Sequence, residues 1–318
     1  MGSELVVGMQ SALGYWRLVR RSRSEQGWVR TFGARRLMLA ERVSLAAAVC
    51  GVDEVEAIVT KAGQRQSAAG LRVHVWDGDA MATPIGRDVL VSGPAQAIVQ
   101  LGVSADEIEI AQAAYELCGT YALASELERG FETHVDPLVD IDGLRACAEA
   151  ERQRGAKGAA KVCRALRLVR DGSNSPMETN VAIALATSRK AGGYGLGGFE
   201  LNRSVELSED AARIFGYPTM RPDFSWPGSN HVLEVLGRHD HGGDLGFRSD
   251  PKRADALLAM DKVVHWLTTE QLRSPEKTEA ILEDLARKLG KRRRPPTPGM
   301  VLERAALHER LFGFGADS

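Results

Sequence analysis

The residues best placed to do chemistry lie in a predicted β-hairpin in the last third of the chain. Two short stretches rich in strand-forming residues, Met220–Trp226 and His231–Leu236, flank the four turn-forming residues 227–230. Four-residue connections are common in hairpins. This connection predicts a register in which Phe224 lies opposite Leu233.

The same register places the carboxylates of Asp223 and Glu234 directly opposite each other. Opposed residues in a sheet have Cβ atoms roughly 5 Å apart, and like charges at that spacing are destabilising. Two acids held in this way favour a shared proton or a shared cation. Strand alternation puts Phe224 and Leu233 on one face, suited to a core, and the two acids on the other. The alternative is a solvent-facing hairpin whose acids serve only solubility.

A helix should begin before the hairpin, at the sequence Ser175-Pro-Met-Glu178. Serine suits the residue that caps a helix N-terminus, and proline suits the first helical position. Glu178 then stands at the third position, from which its carboxylate can reach back to the cap. The sequence therefore predicts a capped helix that runs to about Lys190, with Glu178 in its first turn.

The succession of Pro222-Asp223, a turn and Glu234 in an apolar strand resembles the PD-(D/E)XK nuclease superfamily. The residues from Glu234 to His241, followed by Asp250-Pro-Lys-Arg253, are similar to its very-short-patch-repair-like endonucleases. Their pattern is an acid, an apolar-flanked Glu, an acid–Gly pair, a His, and Asp-x-x-Arg-x-x-x-Leu opening a helix. The resemblance covers about residues 173–290. It implies an α/β (α+β) fold with a restriction-endonuclease-like mixed sheet flanked by helices.

The resemblance also implies a reaction, the metal-dependent hydrolysis of phosphodiester bonds in DNA, and residues to perform it. Asp223 and Glu234 would hold Mg²⁺ through oxygen ligands, with Glu178 as a third ligand. His241 would lie beside the scissile phosphate and transfer a proton near neutral pH. Arg253 would stabilise the phosphate charge. For Glu178, the helix cap alone is an equally good explanation.

One position departs from the family pattern. The second residue after the strand Glu is usually Lys or an acid in the resembled proteins, and here it is Leu236. The contribution of that side chain to catalysis is therefore missing. The sequence implies either an endonuclease in which His241 replaces it or a degenerate descendant that has lost activity.

A non-enzymatic DNA-binding regulator is the alternative function. Pro94-Ala-Gln-Ala-Ile-Val-Gln-Leu and Tyr115-Glu-Leu-Cys-Gly-Thr-Tyr121 resemble the middle of abortive-infection (type IV toxin–antitoxin) antitoxin-like proteins. This resemblance implies DNA as a partner and leaves open a toxin or a second copy of the chain. A protein-interaction module with neither activity is the third alternative.

The remaining composition predicts four regions along the chain. Residues 1–70 form a helical, arginine-rich head, residues 71–172 a small α/β and helical region, residues 173–290 the nuclease-like domain, and residues 291–318 a basic, proline-rich tail. A helix predicted to run to Val169 carries basic residues at three-residue steps, which are Lys161, Arg164, Arg167 and Arg170.

The basic regions suit phosphate contacts, although solvated faces with partners inside the protein explain them as well. A helix-turn-helix over Ser44–Ala62 is a weaker alternative, since no clear turn signature accompanies it. The sequence therefore favours an ordinary helix surface for these arginines.

The overall composition predicts a soluble protein of a reducing compartment. Among 318 residues, 41 basic side chains nearly balance 42 acidic ones, so no overall field favours nucleic acid. The four cysteines show no metal-site or disulfide spacing. No apolar run reaches the ~20 residues of a membrane span, and no secretory signal opens the sequence. We therefore expect a cytoplasmic protein without membrane partners.

Overall fold

The computed structural model describes residues 4–22, 37–78, 81–236 and 251–313. The fold is mixed α/β, with mixed sheets flanked by helices, which confirms the predicted fold class. Among these residues, no helix has both the length and the apolar composition required to cross a bilayer. The chain divides into two compact units, Met1–Val169 and Arg170–Ser318.

The first unit is built on a five-stranded sheet with the strand order β3-β2-β1-β5-β4. Strand β1 pairs in parallel with β5 and antiparallel with β2, and β2 pairs in parallel with β3. A short antiparallel pair, β6 with β7, forms a second sheet. The elements in chain order are β1 (Leu5–Val7), α1 (Met9–Arg21), α2 (Leu39–Cys50), β2 (Val55–Val59), β3 (Leu71–Val75), β4 (Ala82–Gly86), β5 (Val89–Ser92), α3 (Pro94–Leu101), α4 (Glu107–Cys118), β6 (Tyr121–Leu123), β7 (Phe131–Thr133), α5 (Ile141–Gln153) and α6 (Ala159–Ala165).

The predicted helical head is only partly helical, because β1 and β2 lie in the middle of the five-stranded sheet. Strand β1 has three residues, too few to show an alternating pattern, and Val7 is completely buried. The helix-turn-helix alternative for residues 44–62 is wrong. Helix α2 ends at Gly51, which adopts a left-handed conformation with φ of 65°, and the chain then enters β2.

The second unit is built on a four-stranded sheet with the order β13-β12-β11-β8. Strand β11 is antiparallel to β8 and to β12, whereas β12 and β13 are parallel. The elements in chain order are α7 (Pro176–Ala186), β8 (Glu200–Leu201), β9 (Val205–Glu206), α8 (Glu209–Phe215), β10 (Thr219–Met220), β11 (Phe224–Ser225), β12 (His231–Leu236), α9 (Pro251–Ala259), β13 (Val263–Thr268), α10 (Thr269–Leu272), α11 (Pro275–Lys288) and α12 (Pro298–Phe312).

The four-stranded sheet and its helices follow in the order helix, strand, hairpin, helix, strand and helix. Two features were not predicted from the sequence. A β-ribbon of β9 and β10 with α8 between its strands is inserted before the hairpin. Helix α12 forms within the predicted tail, 291–318, where Thr297 caps it and Pro298 occupies its first turn.

Both faces of the four-stranded sheet are covered. On one face, Phe224 and Leu233 are completely buried, and Phe224 packs edge-to-face on Phe199. On the other face, Val232 joins an apolar cluster with Ala256 and Leu257 of α9. The alternative of a solvent-facing hairpin is therefore wrong, because a helix covers the face that carries the acids.

Candidate active site

The predicted hairpin register is confirmed, because Phe224 pairs with Leu233 and Ser225 with Val232. The predicted strand Met220–Trp226 is wrong, since it consists of two strands in different sheets. Met220 pairs with Val205 in the ribbon, and the chain enters the four-stranded sheet only at Phe224. Pro222 interrupts the strand, because proline has no N–H to donate to a ladder.

Asp223 lies at the point where the chain enters the sheet, and two neighbouring segments hold it. Its Oδ2 accepts a hydrogen bond of 2.7 Å from the backbone N–H of Val235. Its backbone carbonyl accepts one of 3.1 Å from the N–H of Asn202, just after β8. Continuing the register from Phe224 by one residue places Asp223 opposite Glu234. Asp223 is thus fixed against the strand that carries the second acid.

Glu234 is buried in the middle of β12 and forms a forked ion pair with Arg253 of α9. Arg253 donates from Nε to Oε2 and from Nη2 to Oε1, both at 3.1 Å, and its Nη2 also donates to the carbonyl of Arg221. Burial and the charge of Asp223 raise the pKa of Glu234 to about 8, although Arg253 acts in the opposite direction. Arg253 therefore neutralises only part of the negative charge of these acids.

Glu178 occupies the first turn of α7, and the predicted cap is confirmed. The Glu178 N–H donates to Ser175 Oγ at 3.1 Å, and Ser175 Oγ donates to Glu178 Oε1 at 3.0 Å. The Asn174 N–H and the Asn202 side-chain amide donate to Oε2, at 3.0 and 2.6 Å. Burial and the charge of Asp223 raise the pKa of Glu178 to about 7. Glu178 is therefore a cap and also a neighbour of Asp223.

Asn202 connects these groups and was not identified from the sequence. Its side-chain amide donates to Glu178 and, at 2.9 Å, to the carbonyl of Gly172. Its backbone N–H donates to the carbonyl of Asp223. Asn202 has a φ of 48°, in the left-handed region that asparagine tolerates better than most residues. An asparagine directly after a short strand was the only sequence signal for this role.

Two of the acids are suited to a magnesium site in which water and phosphate supply most of the ligands. They are less suited to a site made entirely of protein ligands. Across the described residues, no three acidic, histidine or cysteine side chains are placed to hold one metal ion. Glu178 already accepts three hydrogen bonds, and both oxygens of Glu234 accept from Arg253. Mg²⁺ is commonly bound by one or two carboxylates together with water and substrate phosphates. Asp223 and Glu234 fit that arrangement, and Glu178 as a third ligand stays a prediction.

The structure brings Asp223, Glu234, Glu178 and Arg253 into one region of the second unit. His241 lies outside the described residues. Leu236, which replaces the usual Lys or acid, is half-buried at the end of β12, and its carbonyl accepts a hydrogen bond of 3.1 Å from Thr269 Oγ1. In the described part of the site, Arg253 is thus the basic side chain bonded to an acid.

The arginines of α1 serve the interior of the first unit. Arg17 forms a forked pair with buried Glu116, at 2.8 and 2.7 Å. Arg20, also buried, donates to three backbone carbonyls, and Arg21 pairs with Glu132 at 3.2 Å. These three arginines therefore have partners inside the protein, which agrees with the interpretation that the sequence favoured over phosphate contact.

The predicted basic helix is shorter than expected, because α6 ends at Ala165 rather than Val169. Lys161 donates to the carbonyl of Ala105 at 2.7 Å, and Arg164 pairs with Glu107 at the same distance. These two members of the predicted stripe therefore bind within their own unit.

The chain was compared with protein-family models, with curated proteins and with solved structures, and nothing matched. The chemistry of the site must accordingly be inferred from its own arrangement. The negative charge of Asp223, in the segment before β11, acts on the buried carboxylates of Glu178 in α7 and Glu234 in β12. One arginine neutralises part of that charge, and one asparagine orients two of the segments.

Proposed function

We propose that the second unit is a metal-dependent phosphodiesterase that acts on DNA, an endonuclease of the PD-(D/E)XK kind. One observation carries the proposal. Asp223 and Glu234 come from different segments, are held next to each other, and lie beside a third acid, Glu178. Burial raises the pKa of both glutamates most, and the charge of Asp223 raises it further, so three acids beside one arginine leave an excess of negative charge when they are ionised. A divalent cation would relieve that excess.

The acids and the arginine have distinct roles in this proposal. A divalent ion held by Asp223 and Glu234 would stabilise charge on the phosphate and lower the pKa of an attacking water. Glu178 adds negative potential beside Asp223, which increases the affinity of the pair for a cation. Arg253 presents a planar fork of donors, a geometry that matches phosphate oxygens as well as carboxylates. His241 remains the proposed proton carrier.

A DNA-binding regulator of the type IV antitoxin kind is the second candidate, and a specific observation favours it. The Arg253–Glu234 pair already supplies one positive charge to the acids, and Leu236 removes the usual basic or acidic side chain. A protein that has lost catalysis can retain such a pair for stability. Its affinity for DNA would be insensitive to chelation of divalent ions.

Cleavage and binding of DNA by the full chain distinguish the two candidates. Plasmid and end-labelled linear duplex are incubated with Mg²⁺, Mn²⁺ or EDTA, and the same duplexes are used in binding assays. We expect cleavage with Mg²⁺ or Mn²⁺ in the wild type and its loss in Asp223→Asn and Glu234→Gln. Asp210→Asn, a change in an exposed i,i+3 pair with Arg213, is the matched control. Binding that persists in EDTA without any cleavage would favour the regulator.

A further inference from the structure

We infer that Arg253 is an exchangeable cation, which bonds to Glu234 in the free protein and transfers to a phosphodiester when DNA binds. The transfer would release the oxygens of Glu234 for a divalent ion. Binding of DNA and binding of metal would therefore strengthen each other. This inference rests on the proposed function and concerns the regulation of the same site.

The first support is that Arg253 uses the same oxygens a metal would need. Its Nε and Nη2 each donate to a different oxygen of Glu234 at 3.1 Å. A cation approaching Glu234 therefore competes with two charge-assisted hydrogen bonds. Of the two proposed ligands, Glu234 is the one whose oxygens Arg253 occupies, so its availability changes when Arg253 leaves.

The second support is the difference in exposure between the two partners. The Arg253 side chain is 24% exposed, whereas the Glu234 side chain is 4% exposed. The arginine thus reaches the buried acid from the solvent side. A change of its side-chain rotamer would break this ion pair and its hydrogen bond to the Arg221 carbonyl, while Glu234 is fixed within β12. Its position in the first turn of α9 also places it at the end of an element rather than within the sheet.

The third support is the chemistry of the guanidinium group. Phosphate and carboxylate both accept two parallel N–H donors from arginine. An exchange from Glu234 to a phosphodiester therefore keeps two charge-assisted hydrogen bonds on Arg253. Glu234 gains a cation in return, so neither the arginine nor the buried acid is left without an opposite charge. A buried acid deprived of its partner would otherwise be strongly destabilising.

The consequence is a reciprocal coupling between the two ligands. If one ligand changes the affinity of a protein for a second ligand, the second changes the affinity for the first by the same factor. This factor is typically about 5- to 150-fold. DNA should therefore raise the affinity for a divalent ion by a factor in this range. Removing Arg253 should raise the metal affinity of the free protein and abolish most of the effect of DNA.

Calorimetric titration with Ca²⁺, with and without a short duplex, tests the coupling in the full chain. Ca²⁺ is used so that the duplex remains intact. We expect the duplex to tighten Ca²⁺ binding to the wild type at least about fivefold. Arg253→Gln should bind Ca²⁺ more tightly than the wild type without DNA and gain little from the duplex. Arg253→Lys, which keeps the charge without the fork, should be intermediate and serves if the Gln variant does not fold.

Arg213→Gln, which removes an exposed arginine paired with Asp210, is the control and should behave as the wild type. The inference is overturned if the duplex leaves the wild-type Ca²⁺ affinity unchanged. It is also overturned if Arg253→Gln binds Ca²⁺ more weakly than the wild type without DNA. Metal-dependent cleavage with no coupling would reject only the exchange, whereas a chain that neither binds divalent ions nor cleaves DNA would reject the proposed function as well.

Discussion

Replacing Asp223 with Asn removes the charge that lies next to two buried glutamates. Two like charges about 5 Å apart interact by roughly 3 kcal/mol at an effective dielectric constant of about 20. Burial and, after it, the charge of Asp223 raise the pKa of both glutamates, and at pH 8.5 both are mostly ionised, so little of this repulsion is relieved by protonation. An asparagine oxygen can still accept the hydrogen bond from the Val235 N–H. We therefore expect the substitution to stabilise the metal-free protein at pH 8.5 by on the order of 1–2 kcal/mol.

Thermal unfolding in EDTA, followed by circular dichroism, measures this effect. For a unit of this size, 1 kcal/mol corresponds to about 2–4 °C in Tm. Asp223→Asn should therefore melt about 2–8 °C above the wild type in EDTA. Asp210→Asn, in an exposed pair, should change Tm little. An Asp223→Asn protein that melts at or below the wild type in EDTA would refute the idea that the acids repel each other.

Four further predictions can be tested by thermal or denaturant unfolding, one on the pH dependence of the wild type and three on single substitutions. In EDTA, the stability of the wild type should fall as pH rises from about 5 through about 8. The folded pKa values of Glu178, about 7, and Glu234, about 8, exceed the ordinary 4.5, so the folded state binds more protons in this window. Burial lowers the pKa of His265 to about 4, so the stability linked to it should decrease as pH falls from 6.5 towards 4, and His265→Phe should abolish that decrease. Asn202→Gly keeps the left-handed backbone but removes the donor to Glu178, and it should destabilise by about 1–3 kcal/mol at pH 8.5. Glu116→Ala removes the buried acid of the ion pair with half-buried Arg17 and should destabilise by about 3–5 kcal/mol.

The sequence predicted elements whose determinants are local. The cap of α7 follows from Ser175 and Glu178 alone, and the structure contains both of its hydrogen bonds. The hairpin register follows from the length of the turn and the alternation around Phe224 and Leu233.

Features that depend on distant segments were not predictable in the same way. Strand β1 has three residues and becomes a strand because β2 and β5 pair with it on both sides. The burial of Glu234 depends on α9, which packs over the face that alternation placed opposite the Phe224 and Leu233 side of the sheet. The pairing of Arg253 with Glu234 and the role of Asn202 also depend on tertiary contacts, because sequence spacing does not specify which acid an arginine reaches.

Divalent-metal binding by the full chain is the most direct test of the central claim, that Asp223 and Glu234 form a cation site. Calorimetric titration with Mn²⁺ should show one site per chain in the wild type and in Asp210→Asn, and none in Asp223→Asn. At a hundredfold excess over Kd, bound Mn²⁺ should stabilise the fold by about 2.7 kcal/mol. Absence of binding in the wild type, or binding of equal affinity in Asp223→Asn, would contradict the claim.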